Sequence, residues 1–133
     1  MHRHGNLWTQ LISFENLLCA AKKAEKRKRF RLPMLKFNVD LERQLWRLHE
    51  ELRDHTWQTG PCRTFYIHEP KKRLISAAPY RDRVVHHALV NVLEPIYERC
   101  FLHDSYACRK EKGTHAAVRR AQHFAKERDG RGP

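Results

Sequence analysis

"RTFYIHEPKKRLISAAPYRDRVVHHAL", residues 63–89, sets the fold class of the chain. Residues 63–68, "RTFYIH", are rich in the β-branched and aromatic types that favour strands, and "RLISAA" after "EPKK" offers a second short apolar run. The pair reads as a β-hairpin. Pro70 suits its turn, because proline's φ is already fixed and the missing N–H is not needed there. Lys71, Lys72 and Arg73 therefore crown the turn, three positive charges with no acid among them. Past Pro79 the period changes: Val84, Val85, Ala88, Leu89, Val92 and Leu93 make one apolar helical stripe, interrupted at Pro95 and resumed through "IYERCF".

Working outward, helices dominate. Upstream, Leu7, Leu11, Phe14, Leu18 and Ala21 recur every three or four residues, which predicts one amphipathic helix over residues 7–28. Pro33 forbids simple continuation. Asn38 or Asp40 can cap a second helix, whose Leu41, Leu45, Leu48 and Leu52 share a face, and "TWQTGPC" follows as a turn cluster. Downstream, "DSYACRKEKGTHAAVRRAQHFAKER" reads as an extended segment, a basic turn around Gly113 and a last helix from about Thr114. The expected class is α+β, mostly helical with a small antiparallel β-hairpin. The expected division is a helical extension over residues 1–58, a hairpin–helix–turn–helix region over 59–126 and an irregular end over 127–133.

Charge then selects the partner. Among 133 residues, 27 Lys and Arg stand against 15 Asp and Glu, a net charge of +12, beyond what solubility asks for. A polyanion is implied. The charge is also local: residues 22–31, "KKAEKRKRFR", hold seven basic residues and one acidic, whereas residues 41–54 hold three basic and four acidic. Lys22, Lys23, Lys26, Arg27, Lys28, Arg29 and Arg31 are thus candidate phosphate-binding residues, which become RNA-binding ones under the resemblance given below, against the alternative of a solvated basic face.

Other classes are disfavoured. No apolar run approaches the roughly 20 residues of a membrane span, and the start lacks a compact apolar core behind a charged leader, so the expected location is the cytoplasm. Four irregularly spaced cysteines do not make a disulfide framework. Cys100, His103, Cys108 and His115 have a spacing zinc can use, but paired Cys-x-x-Cys knuckles are absent and no metal is expected. His86 and His87 point about 100° apart on a helix and do not form a pair. Trp8 and Trp46 fall in amphipathic helices, where core packing is the expected role, and Asp82 reads as an ion-pair partner of Arg81 and Arg83. Neither a Gly-rich phosphate loop nor a nucleophile elbow is present, so no catalytic residue is assigned.

The succession "PKKRLI", "RDRVVHHAL", "LEPIYERCF" and "DSYACRKEKGTHAA" resembles the opening sequence blocks of bacterial reverse transcriptases, in family order and spacing. Upstream, "FENLLCAAKKAEKRKR" and "NVDLERQLWRLHEELRD" are similar to the helical extension before the fingers of those enzymes. The likeness covers residues 7 to about 125 and is nearest to diversity-generating-retroelement and group II intron types. It implies a fingers subdomain in which Lys71, Lys72 and Arg73 face the incoming nucleotide triphosphate. Arg109, Lys110 and Lys112 match the second block, where the chain meets nucleotide or template. Glu111 departs from the pattern, since the family often has glycine there. The partners so implied are template RNA, the RNA/DNA duplex and, in a complete enzyme, a deoxynucleotide triphosphate with Mg²⁺; this chain itself implies no cofactor. Tyr-x-Asp-Asp does not occur, so the palm aspartates that hold the metals are missing and the expectation is a fragment that does not polymerise alone. A stand-alone basic RNA-binding module and an inert helical fragment are the alternatives.

Overall fold

The computed structural model describes residues 4–26 and 32–130, and within them the chain is mostly helical with one two-stranded antiparallel sheet. The elements run α1 (Leu7–Ile12), α2 (Phe14–Glu25), α3 (Leu32–Asn38), α4 (Leu41–Arg53), β1 (Arg63–Ile67), β2 (Arg73–Ala77), α5 (Tyr80–Cys100) and α6 (Thr114–Asp129). They form two compact units, divided within α5 between Ile96 and Tyr97.

The first unit is built around α2, α4 and the start of α5. Leu17, Leu45, Leu48 and Val84 are its largest fully buried side chains. Each contributes on the order of 1.5–3 kcal/mol by leaving water. Alanines Ala20, Ala21 and Ala24 on α2 are buried as well, which lets the neighbouring helices approach its backbone closely. Met34 and Phe37 of α3 complete the floor, with the Phe37 ring edge-on to Tyr80 at 5.2 Å.

Three helical expectations are revised. The helix predicted over residues 7–28 is two helices, because Ser13 caps α2: its Oγ accepts from Asn16 N at 3.3 Å and donates to Gln10 O at 3.1 Å. Asn16 then donates to the Leu11 and Ala88 carbonyls, so one side chain closes the break and ties it to α5. Ahead of the helix expected from Asn38 or Asp40 stands a further one, α3, with Pro33 in its first turn, where no intrahelical N–H bond is lost. Pro95 does not interrupt α5, which runs 21 residues with the proline inside it.

Two side-chain roles also differ. Trp8 and Trp46 are not core residues: each stays well exposed, stacked on His55 at 5.2 Å and on Phe14 at 4.9 Å. Asp82 does not pair with its neighbours as expected. It is only 3% exposed and accepts from Gly60 N at 2.8 Å, while Arg81 bonds Glu51 and Arg83 donates to the Ala24 carbonyl. Because α5 starts against two other elements, alternate residues of "YRDR" find different partners.

In the second unit, α6 begins at Thr114 as expected, preceded by turns over residues 103–111 where an extended segment was expected. Among the described residues no helix is long and apolar enough to cross a membrane.

Candidate nucleic-acid interface

The hairpin is positioned from its base. Gly60 lies so close to Pro79 that a Cβ there would stand 2.9 Å from the proline Cγ, and its N–H is held by the buried Asp82 carboxylate. That contact fixes the segment entering β1 against the first turn of α5. Cross-strand pairing then runs from Arg63↔Ala77 to Ile67↔Arg73.

This register puts Lys71 and Lys72 in the turn and Arg73 at the first position of β2, so the three predicted cations sit together at the hairpin's end. All three are exposed. Lys71 and Arg73 make no ion pair among the described residues, and Lys72 Nζ lies 4.6 Å from the centre of the Tyr66 ring. The strands offer more than charge. Every residue of β1 is exposed, Tyr66 (55%) and Leu74 (57%) stand opposite one another, and Arg63 lies over Phe65 at 5.5 Å. An exposed aromatic beside a cation is a surface on which a base can stack while its phosphate is neutralised. Tyr66 and Arg63 escape notice in the sequence because a strand alternation suggests one buried face, and here neither face of β1 is buried.

Of the second basic set, Lys22, Lys23 and Lys26 end α2 and are exposed. Lys23 bonds the Asn91 side chain, which in turn donates to Asn16 at 2.8 Å, leaving Lys22 and Lys26 outward. Arg27, Lys28, Arg29 and Arg31 lie outside the described residues.

In the third set the three cations differ. Arg109 Nε and Nη2 reach both oxygens of Glu98 at 2.7–3.1 Å, and Nη1 donates to the carbonyls of Leu102 and Ser105 at 2.9 and 3.1 Å. Its side chain is 11% exposed. The guanidinium is therefore a staple inside the α5–α6 connection, its planar fork matched to a carboxylate and two carbonyls. The hydrogen bond from Arg109 holds the Glu98 carboxyl below its ordinary range and raises Arg109 in return. Lys112 bonds the His103 carbonyl and lies over Tyr106, whereas Lys110 is exposed with no bond among the described residues. A second staple joins Asp104 to Arg120 at 2.9 Å, and that bond lowers the Asp104 carboxyl in the same way.

Glu111 occupies the left-handed region at φ 58°. Among the described residues no group of three or more His, Cys, Asp or Glu could hold a metal ion, and the four cysteines are free and exposed.

Comparison with known proteins gives a partial likeness. The chain is 35% identical over 88 residues to protein YkfC of Escherichia coli (strain K12), covering 65% of this chain and 23% of that protein. It is 32% identical over 88 residues to nuclear intron maturase 2, mitochondrial, of Arabidopsis thaliana, covering 54% of this chain and 12% of that protein. The chain thus spans less than a quarter of the length of either relative. No protein-family model matches it.

Proposed function

We propose that this chain is the fingers region of a reverse-transcriptase-like protein, binding template RNA and, in a complete enzyme, the incoming deoxynucleotide triphosphate. The observation that carries the reading is the exposed hairpin end, where Lys71, Lys72 and Arg73 are unencumbered by acidic partners. Support also comes from the partial likeness to a protein named as an intron maturase. A triphosphate concentrates several negative charges in a few ångströms, and charge-assisted hydrogen bonds from Lys and Arg are the strong ones. Lys110 adds a free charge in the second turn, which Arg109 shapes from within. The division of labour follows: the hairpin end grips nucleotide, and the α2 end with the basic run after it holds RNA. With no Tyr-x-Asp-Asp in its sequence, the chain alone does not extend a primer.

The test is a fusion of this chain to the catalytic portion of a related polymerase. Arg73→Ala removes a charge-assisted contact worth about 1.5–3 kcal/mol and is expected to lower kcat/KM for nucleotide roughly tenfold or more. RNA affinity, measured separately, is expected to change less than about twofold. An equal loss in both would make the hairpin general basic surface and contradict the assignment.

A further inference from the structure

The second unit holds cations that the reading above does not use. Three of its acids are already engaged: Glu98 by Arg109, Asp104 by Arg120 and Glu127 by His123 at 3.5 Å. Arg99, Lys110, Arg119, Lys126 and Arg128 are exposed with no bond among the described residues, and two of them share a face. At 100° per residue, His115, Arg119, Gln122 and Lys126 fall within about 60° of arc on α6, a single stripe starting in the helix's first turn. All four are exposed, and Arg119 and Lys126 make no side-chain hydrogen bond or ion pair among the described residues. No acid falls within that arc, and Asp129 lies about 20° beyond its edge at the end of the helix. With a rise of 1.5 Å per residue, its Arg and Lys stand about 10 Å apart along the axis, a separation that suits non-adjacent phosphates of one strand.

We infer that this α6 stripe is an RNA-backbone binding surface, in which Arg119 and Lys126 neutralise phosphates and His115 and Gln122 supply hydrogen bonds between them. The inference rests on the RNA-binding reading above but adds a surface separate from the hairpin and the α2 end. A lipid surface is the weaker fit, because the opposite side of α6, with Ala117, Ala121 and Phe124, presents a single large apolar group for insertion. Long exposed cations on a helix, spaced along one face and free of acids, contact a backbone without reading its sequence.

The experiment is fluorescence anisotropy of the full chain on a labelled single-stranded RNA across a salt series. Arg119→Gln with Lys126→Gln is expected to reduce the slope of log K against log salt by about 1.4, at ~0.7 per phosphate, and to weaken binding roughly tenfold or more at 0.1 M salt. Arg43→Gln with Arg47→Gln removes the same formal charge from α4, where both arginines are paired with acids, and is expected to move the slope less than half as far. Equal effects of the two double variants would reduce the stripe to bulk charge and overturn the inference. If Lys22→Gln with Lys26→Gln at the α2 end weakens RNA binding while the α6 variant does not, the inference falls and the RNA reading stands. No binding by the unaltered chain at low salt would sink both. Preferential binding to vesicles of anionic lipid over RNA would also overturn it.

Discussion

Two backbone positions carry opposite demands on the side chain. Glu111 adopts φ 58°, where a Cβ crowds the following carbonyl, and its neighbour Cys108 shows the same sign of φ. Gly60 has no positive φ, but a Cβ would stand 2.9 Å from Pro79 Cγ, and the proline ring is held between Gly60 and α5. Glu111→Gly is therefore expected to stabilise the protein by up to about 1 kcal/mol, and Gly60→Ala to destabilise it by about 1–3 kcal/mol through displacement from the buried Asp82. Urea unfolding of both variants checks the pair; two changes of the same sign would contradict the account. Glu111 was legible in part, since the reverse-transcriptase block that this stretch resembles often has glycine there. The role of Asp82 was not, because a carboxylate between two arginines reads locally as an ion pair, and its real partner lies 22 residues upstream.

At the scale of elements, the α5–α6 connection is held by two carboxylates whose ordinary ranges are both shifted down, Glu98 by Arg109 and Asp104 by Arg120. A carboxylate held lower in the folded state binds fewer protons there than when unfolded, so its contribution is fully present above the ordinary carboxylate range and is lost as pH falls through the lowered value. The stapled connection is expected to keep its amide protection unchanged from about pH 7 to 5 and to lose it below about pH 4. Glu98→Gln should lower protection of residues 101–109 already at pH 7 and flatten the acid dependence. Protection that is pH-independent in the unaltered chain and unaffected by Glu98→Gln would show that the staple holds nothing. The hairpin and the starts of α4 and α6 were readable from the sequence because strand and turn signals are local, whereas α6 runs on to Asp129, past residue 126 where an irregular end was expected. The break at Ser13 was not, since an unbroken apolar stripe runs through it and the cap depends on Asn16 reaching Ala88, 72 residues away. Pro95 stands inside α5, contrary to the interruption its position suggested.

Over the whole molecule, the charge excess of +12 divides into cations that serve the fold and cations that do not. Arg81, Arg83, Arg109 and Arg120 are bonded to carboxylates or helix-end carbonyls, which composition alone counts the same as the free lysines. Exposed cations with no bond among the described residues include those at the hairpin end, the α2 end, the turn at Lys110 and the α6 stripe, with Lys36, Arg99 and Arg128 elsewhere. Sequence could identify the clusters but not subtract Arg109, because its acceptors lie up to 11 residues away and belong to no motif. If these cations bind RNA, most of the binding energy comes from counterion release. The direct measurement is the affinity of the unaltered chain for a short single-stranded RNA as salt rises from 50 to 200 mM, at roughly 0.7 in slope per phosphate neutralised. The account predicts weak binding that falls steeply, with a log–log slope of about −3 or steeper. Binding that ignores salt, or no binding even at the lowest salt, would contradict it.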